Sequence, residues 1–124
     1  MGIKIRFANI EDLHHCVELD LHKNIAIIEN KISMKEVIVA EFNNEIIGCL
    51  KLEYIWTHLP FISYIVIKKD FRSTGIGKKM LSFLEDYLKE NGQDALLSST
   101  MTDALSPQKW HLKMGFIECG MLCG

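Results

Sequence analysis

The sequence predicts a single α/β domain built on a mixed, largely antiparallel sheet flanked by helices, and three observations carry that prediction. Short alternating or β-branched segments interleave with longer ones whose apolar residues recur at helical spacing. Two β-branched segments face each other across Asn43-Asn44, a pair suited to the tight turn of an antiparallel hairpin. With 124 residues, 48% of them hydrophobic and 24% charged, the chain has material for one core and too little for a second of comparable size. No linker, repeat or low-complexity segment divides it.

Each element has a local reason. Ile3, Ile5 and Phe7 alternate with Lys4 and Arg6, which predicts a strand over residues 3–8 with one buried face. Asn9 can cap a helix, Glu11 and Asp12 suit the positive end of its dipole, and Ile10, Leu13, Val17, Leu21 and Ile25 predict a first helix over 10–22. Residues 24–35 place Ile25, Ile27, Ile28 and Ile32 among polar positions and predict a second helix with no clear stop signal. Residues 37–42 and 45–54 form the hairpin. Trp56 to Pro60 then connects to Phe61–Ile67, a nearly unbroken apolar run that predicts a central strand covered on both faces.

A loop over 68–74 leads into a helix from Gly75, with Ile76, Met80, Leu84, Tyr87 and Leu88 on one side and Asn91-Gly92 at its end. Residues 95–99 read as a short buried fifth strand. Ser106 as cap and Pro107 at the first helical position predict a last helix, which Gly115 stops. Phe116 to Cys119 predicts the start of a sixth strand.

Composition excludes some functions. A formal charge of −2 and a pI near 6.2 argue against a phosphate-backbone surface, so nucleic acid is not an expected partner. No apolar run is long enough to span a bilayer and the start lacks the apolar stretch of a secretory signal, so no membrane partner and a cytoplasmic location are expected. Cys16, Cys49, Cys119 and Cys123 form no Cys-x-x-Cys pair and read as buried free thiols. His14, Glu18 and His22 fall at metal-compatible helical spacing, but they flank the apolar stripe and read as a solvated edge, so no metal is expected.

The informative stretch is Arg72-Ser73-Thr74-Gly75-Ile76-Gly77-Lys78, between a buried strand and an amphipathic helix. Glycines let the backbone approach a ligand, a helix start presents unpaired N–H groups, and Arg72 and Lys78 add positive charge, a combination suited to pyrophosphate. Ser73 and Thr74 can add hydroxyl donors. A Walker loop would need Gly at Arg72 and a dinucleotide fingerprint would need Gly at Met80, so neither fits.

The remaining pattern, Arg-x-x-Gly-x-Gly, resembles that of the GCN5-related N-acetyltransferase (GNAT) superfamily. The opening Ile5-Arg6-Phe7-Ala8 with Glu11-Asp12-Leu13, the hairpin ending Ile46-Ile47-Gly48, and Trp110-His111-Leu112-Lys113-Met114-Gly115-Phe116 resemble further family landmarks in the family's order. The resemblance implies an enzyme that moves an acetyl group from acetyl-CoA, its co-substrate, to a primary amine of a small molecule or peptide by direct attack in a ternary complex.

It implies that Ile65, Val66 and Ile67 lie beside the pantetheine arm in a cleft where the fourth and fifth strands part. The pyrophosphate is then held by the amides of Ser73, Thr74, Gly75, Ile76, Gly77 and Lys78, with Arg72 where the family has Arg or Gln. A bulge near Val66 or Ile67 would aim an oxyanion-stabilising amide into the cleft. Many members carry a Tyr four residues before the Gly of the final Gly-Phe, and His111 stands there instead; a histidine can donate a proton to the departing thiolate near neutral pH.

The strands offer Ser63, Tyr64, Ser98 and Ser99 where some relatives have a carboxylate base, and Glu53 could act only through water. Trp56, His58, Phe61 and Tyr64 could line an acceptor pocket or simply pack. The missing carboxylate and replaced Tyr favour the alternative, a non-catalytic CoA-binding or regulatory module of the same fold. Relatives continue into a seventh strand, so an exposed edge is expected past residue 119, either in a shortened version or covered by a second copy in a homodimer.

Overall fold

The computed structural model describes residues 2–100 and 104–121. Its elements are β1 (Lys4–Phe7), a 3-10 turn (Ile10–Asp12), α1 (Leu13–Leu19), α2 (Ile25–Ser33), β2 (Val37–Phe42), β3 (Glu45–Ile55), β4 (Leu59–Ile67), a 3-10 turn (Lys69–Phe71), α3 (Ile76–Glu90), β5 (Leu97–Ser98) and α4 (Leu105–Lys113). The strands form one sheet in the order β1-β2-β3-β4-β5, antiparallel except for the parallel β4–β5 pair.

The two-residue period of the strands sorts their side chains onto two faces. On β2, Ile38 and Ala40 join Leu50, Leu52, Ile76, Met80 and Leu84 beneath α3. Val37 and Val39 join Cys16, Ile28, Ile32 and Cys49 beneath α1 and α2. The hairpin forms as expected, with Asn43 and Asn44 at φ of 49° and 63°.

The first helix departs from expectation. Asn9 caps as predicted, its side chain accepting from the Glu11 amide while Asp12 accepts from the Asn9 amide, but a 3-10 turn comes first and α1 stops at Leu19. Asp20 ends it: its carboxylate accepts from the amides of His22 and Lys23, giving the backbone a turn in place of another helical bond. Asp20 also pairs with Lys51 of β3 at 2.6 Å, nearly out of solvent, which docks the corner between α1 and α2 on the sheet. Arg6 similarly joins β1, the first turn and β2 through Asp12 and Glu41, each at 2.7 Å.

The C-terminal part differs more. β5 is two residues long rather than five, α4 begins at Leu105 without a side-chain cap, and Ser106 and Pro107 fall inside its first turn. Residues 116–121 form no strand, and Ile117 and Met121 stand exposed, because so short a β5 gives them no ladder to join. Cys16 and Cys49 are buried thiols as expected, whereas Cys119 is exposed; Cys123 and the chain end at Gly124 lie outside the described residues.

Candidate active site

β4 is where the sheet opens. It pairs with β3 along nearly its whole length but with β5 only through Phe61 opposite Leu97 and Ile62 opposite Ser98. Beyond Ile62 the strands part, leaving Ser63 to Ile67 with a free edge. Ile65 and Ile67 pack toward α3 and Val66 toward α1 and α2, so the run serves both faces as expected. All three remain only half-buried because one edge has no neighbour.

The ladder decides which backbone groups meet that edge. Lys68 donates its N–H to Ile47 O on β3 at 2.8 Å, and in an antiparallel pair alternate residues turn the same way. Lys68 and Val66 therefore direct their backbone groups at β3, while Ile67 and Ile65 direct theirs at the opening. The expected bulge exists but lies earlier: Lys51 faces Tyr64 and Leu52 faces Ile62, so Ser63 is the extra residue. Val66 thus cannot turn an amide into the cleft; Ile65, the first residue after the bulge to face it, can.

The loop after β4 prepares a helix start with open amides. Ser73 and Gly75 take φ of 62° and 84°, a left-handed region that costs Gly nothing, and Gly75 is the N-cap with no side chain over it. The first intrahelical bond is Lys79 N–H to Gly75 O, so the amides of Ile76, Gly77 and Lys78 have no acceptor in the helix. A Cβ on Gly75 would meet nothing within 4 Å, whereas one on Gly77 would lie 3.3 Å from the Trp110 indole. Gly75 therefore faces open space, and the missing Cβ of Gly77 leaves room for the Trp110 indole of α4.

Arg72 stays exposed while its Nε donates to Ile67 O at 2.8 Å, fixing the guanidinium at the end of β4. Thr74 donates its hydroxyl to Phe71 O, so that proton is held within the loop. Ser73 and Lys78 are exposed at the loop and the first turn of α3.

At the other side of the opening stands His111. Its Nδ1 lies 2.7 Å from Pro107 O, which can only accept, so Nδ1 carries the proton; Nε2 lies 2.7 Å from Ser98 Oγ and in the neutral ring accepts from it. Trp110 and Phe116 rings flank the imidazole, each 5.1 Å away. Ser98 is the last residue of β5 and faces Ile62, so the His111–Ser98 pair sits at the vertex of the fork, beside the bulge. Sequence reasoning noted Ser98 only as a non-carboxylate; its partnership with His111 spans 13 positions and has no local signal.

Two carboxylates near the fork separate by role. Asp20 is held by Lys51 and two amides; burial pushes its pKa up, but those bonds outweigh it and hold the carboxyl below the usual range. A carboxylate so held is a weak base. Glu53 is exposed and, among the described residues, has no ion-pair partner. It lines a cavity of about 530 Å³ with Lys31, Met34, Glu36, Tyr54 and Thr57. Tyr64 stands half-buried with the Lys51 ammonium over its ring at 5.6 Å, while Trp56 and His58 are exposed at the tip between β3 and β4. His14 and Glu18 form an exposed surface pair at 3.7 Å, as a solvated helix edge would.

Comparison with known proteins decides the family. Residues 7–116 match the model of the acetyltransferase (GNAT) family. The chain belongs to that family. The uncharacterized N-acetyltransferase CT2212 of Chlorobaculum tepidum is 27% identical over 92 residues, 73% of this chain and 56% of that protein, so the chain spans little more than half of that relative. The structure of AAC(6')-Iy in complex with the bisubstrate analog CoA-S-monomethyl-acetylneamine superposes with a TM-score of 0.86 at 19% identity, covering 100% of this GNAT chain and 97% of that one.

The ribosomal-protein-alanine N-acetyltransferase of Brucella melitensis biovar Abortus 2308 gives 0.81 at 15% identity over 100% and 98%. The aminoglycoside 6'-N-acetyltransferase AAC(6')-Ih of Acinetobacter baumannii gives 0.85 at 16% over 99% and 96%. At these identities the structures speak to the GNAT fold alone. Among the described residues no helix is long and apolar enough to cross a membrane.

Proposed function

We propose that this GNAT protein is an acetyl-CoA-dependent N-acetyltransferase, a single domain acting in the cytoplasm on a primary amine of a small molecule or peptide. One observation carries the reading: the free edge of β4 runs from the bulge at Ser63 to Ile67, and the loop that follows leads to a helix start at Gly75 without a side-chain cap. An edge whose backbone groups turn to the opening suits the amide-bearing arm of CoA, and an uncapped helix start suits its pyrophosphate.

In this reading Ile65 and Ile67 pair with the pantetheine through their backbones, and Val66 supports them from beneath. The amides from Ser73 to Lys78 hold the pyrophosphate with Arg72 beside them. These donors are fixed by the turn and carry no titratable proton, so they hold the donor in one place at any physiological pH.

The amine attacks the thioester carbonyl, forming the C–N bond; the oxyanion meets the Ile65 N–H, and the C–S bond breaks as the intermediate collapses. The departing sulfur needs a proton. A protonated His111 donates from Nε2 to Ser98 Oγ while the Ser98 hydroxyl proton passes to sulfur, and Pro107 O holds the ring in place through Nδ1. With Asp20 committed to Lys51 and two amides, the amine enters neutral or loses its proton to water.

Thermal unfolding with acetyl-CoA tests the reading. A ligand at a hundred times its dissociation constant stabilises the folded state by about 2.7 kcal/mol, and for a domain of this size that is a rise of roughly 10 °C. Gly75→Asp, which sets a carboxylate before the open amides, should abolish the rise. No rise in the parent protein at saturating acetyl-CoA would overturn the reading.

A further inference from the structure

The donor elements occupy one end of β4: the helix start at Gly75 follows its C-terminal residue, Ile67. The cavity lies at the other end, because Glu53 and Tyr54 face Phe61 and Pro60 at the beginning of the strand. The bulge at Ser63 stands between them. Glu53 is opposite Phe61, two residues short of the bulge; with about 3.3 Å per residue along a strand and about 4.8 Å between strands, wall and bulge are roughly 8 Å apart.

The lining gives this cavity a sign. Lys31 Nζ is held by Glu36 at 3.1 Å and by Leu52 O at 2.7 Å, with little of either charged side chain exposed, so the Lys31 charge is neutralised in place. Glu53 remains, a carboxylate without an ion-pair partner among the described residues. Tyr54 adds an aromatic ring and Met34 an exposed thioether, both receptive to a cation and to the methylenes that carry it. Thr57 of the lining and its neighbour Trp56 adopt φ of 67° and 53°, a conformation that bulky and β-branched residues avoid, and Trp56 is 78% exposed.

We propose that this cavity is an acceptor subsite for a second, protonated amino group, so that the substrate is a diamine or longer polyamine. One neutral amine is acetylated at the fork while a cationic amine at the far end of the substrate rests against Glu53. The inference rests on the acetyltransferase reading and adds the substrate class. In the reaction the neutral amine forms the C–N bond, the thioester C–S bond breaks, the amine's surplus proton leaves to solvent, and sulfur leaves as the thiol of CoA; the distal ammonium is unchanged.

The test measures kcat/KM for α,ω-diamines of three to eight methylenes beside monoamines of equal length, in the parent protein and in Glu53→Gln. Diamines should exceed their monoamine counterparts at least tenfold, with a maximum at an intermediate length, and Glu53→Gln should cut that ratio to near one. Each variant's acetyl-CoA thermal shift serves as its folding control. Equal rates for both series, or a preference that survives in Glu53→Gln, would overturn the subsite. If acetyl-CoA binds but no amine is acetylated, the transfer reading fails separately. Titrating the best-fitting diamine into the CoA complex, which has no acetyl group to transfer, then decides the cavity: amide NMR shifts at residues 53, 54 and 57 that are missing in Glu53→Gln support it, and their absence overturns it.

Discussion

Two glycines set two residues apart do different work, and substitution separates them. Gly75 holds a left-handed turn in open space, while Gly77 lies inside α3 with Trp110 3.3 Å from where its Cβ would be. Gly75→Asp sets negative charge before the open amides, and Gly77→Asp crowds the Trp110 indole and disturbs the first turn that carries those amides, so both variants should lose acetyl-CoA. Their own stabilities should diverge. Asp tolerates the left-handed region comparatively well, and Gly75→Asp should cost about 1 kcal/mol. Gly77→Asp must also displace the indole and should cost about 2–3 kcal/mol, read as a melting temperature several degrees below that of Gly75→Asp in the absence of ligand. Equal melting temperatures would mean that the contact of α3 with α4 is slack. The need for Gly75 was legible because positive φ is a local demand; the need for Gly77 was not, because its reason is an aromatic ring 33 positions away, at Trp110.

Elements were legible in proportion to how local their causes are. The hairpin at Asn43-Asn44 and the stripe on α3 need only the period of their own residues, and both form where expected. α1 ends early because Asp20 turns to two amides and to Lys51, and the latter lies 31 positions on. The bulge at Ser63 is a matter of register between two strands, invisible in either alone. That early end carries a prediction.

The carboxyls of Asp12 and Asp20 both lie below the usual range in the folded state, Asp12 held there chiefly by the Arg6 guanidinium against the opposing effect of burial, Asp20 by Lys51 and two amides despite burial. Folded values below the unfolded value of about 3.9 mean that the stabilisation is complete above that pH and drains away as pH falls through the folded values. Asp20→Asn should leave Lys51 without its partner, cost about 3 kcal/mol at pH 7, and make the decline in melting temperature below pH 4 shallower than in the parent. An unchanged acid limb would mean that Asp20 is not among the groups whose protonation unfolds the protein.

At the scale of the whole molecule, the sheet brings three distant segments to one vertex, the bulge on β4, the end of β5 and the last helix through His111, with the helix start of α3 following the far end of the free edge. The loop before α3 and the Glu53 cavity lie at opposite ends of β4, and in the proposed reading a donor and an acceptor approach from those ends and meet where the strands part. In the proposed reaction His111 and Ser98 act as a unit rather than as two contributors. Either His111→Ala or Ser98→Ala should lower kcat by about a hundredfold while leaving the acetyl-CoA thermal shift in place, because neither touches the Gly75 loop. The double variant should be no slower than the slower single one, since a proton passed from one group to the other is lost once when either is removed. Multiplying losses would instead assign the two side chains separate tasks, with His111 packing α4 against the fork and Ser98 meeting the sulfur by itself.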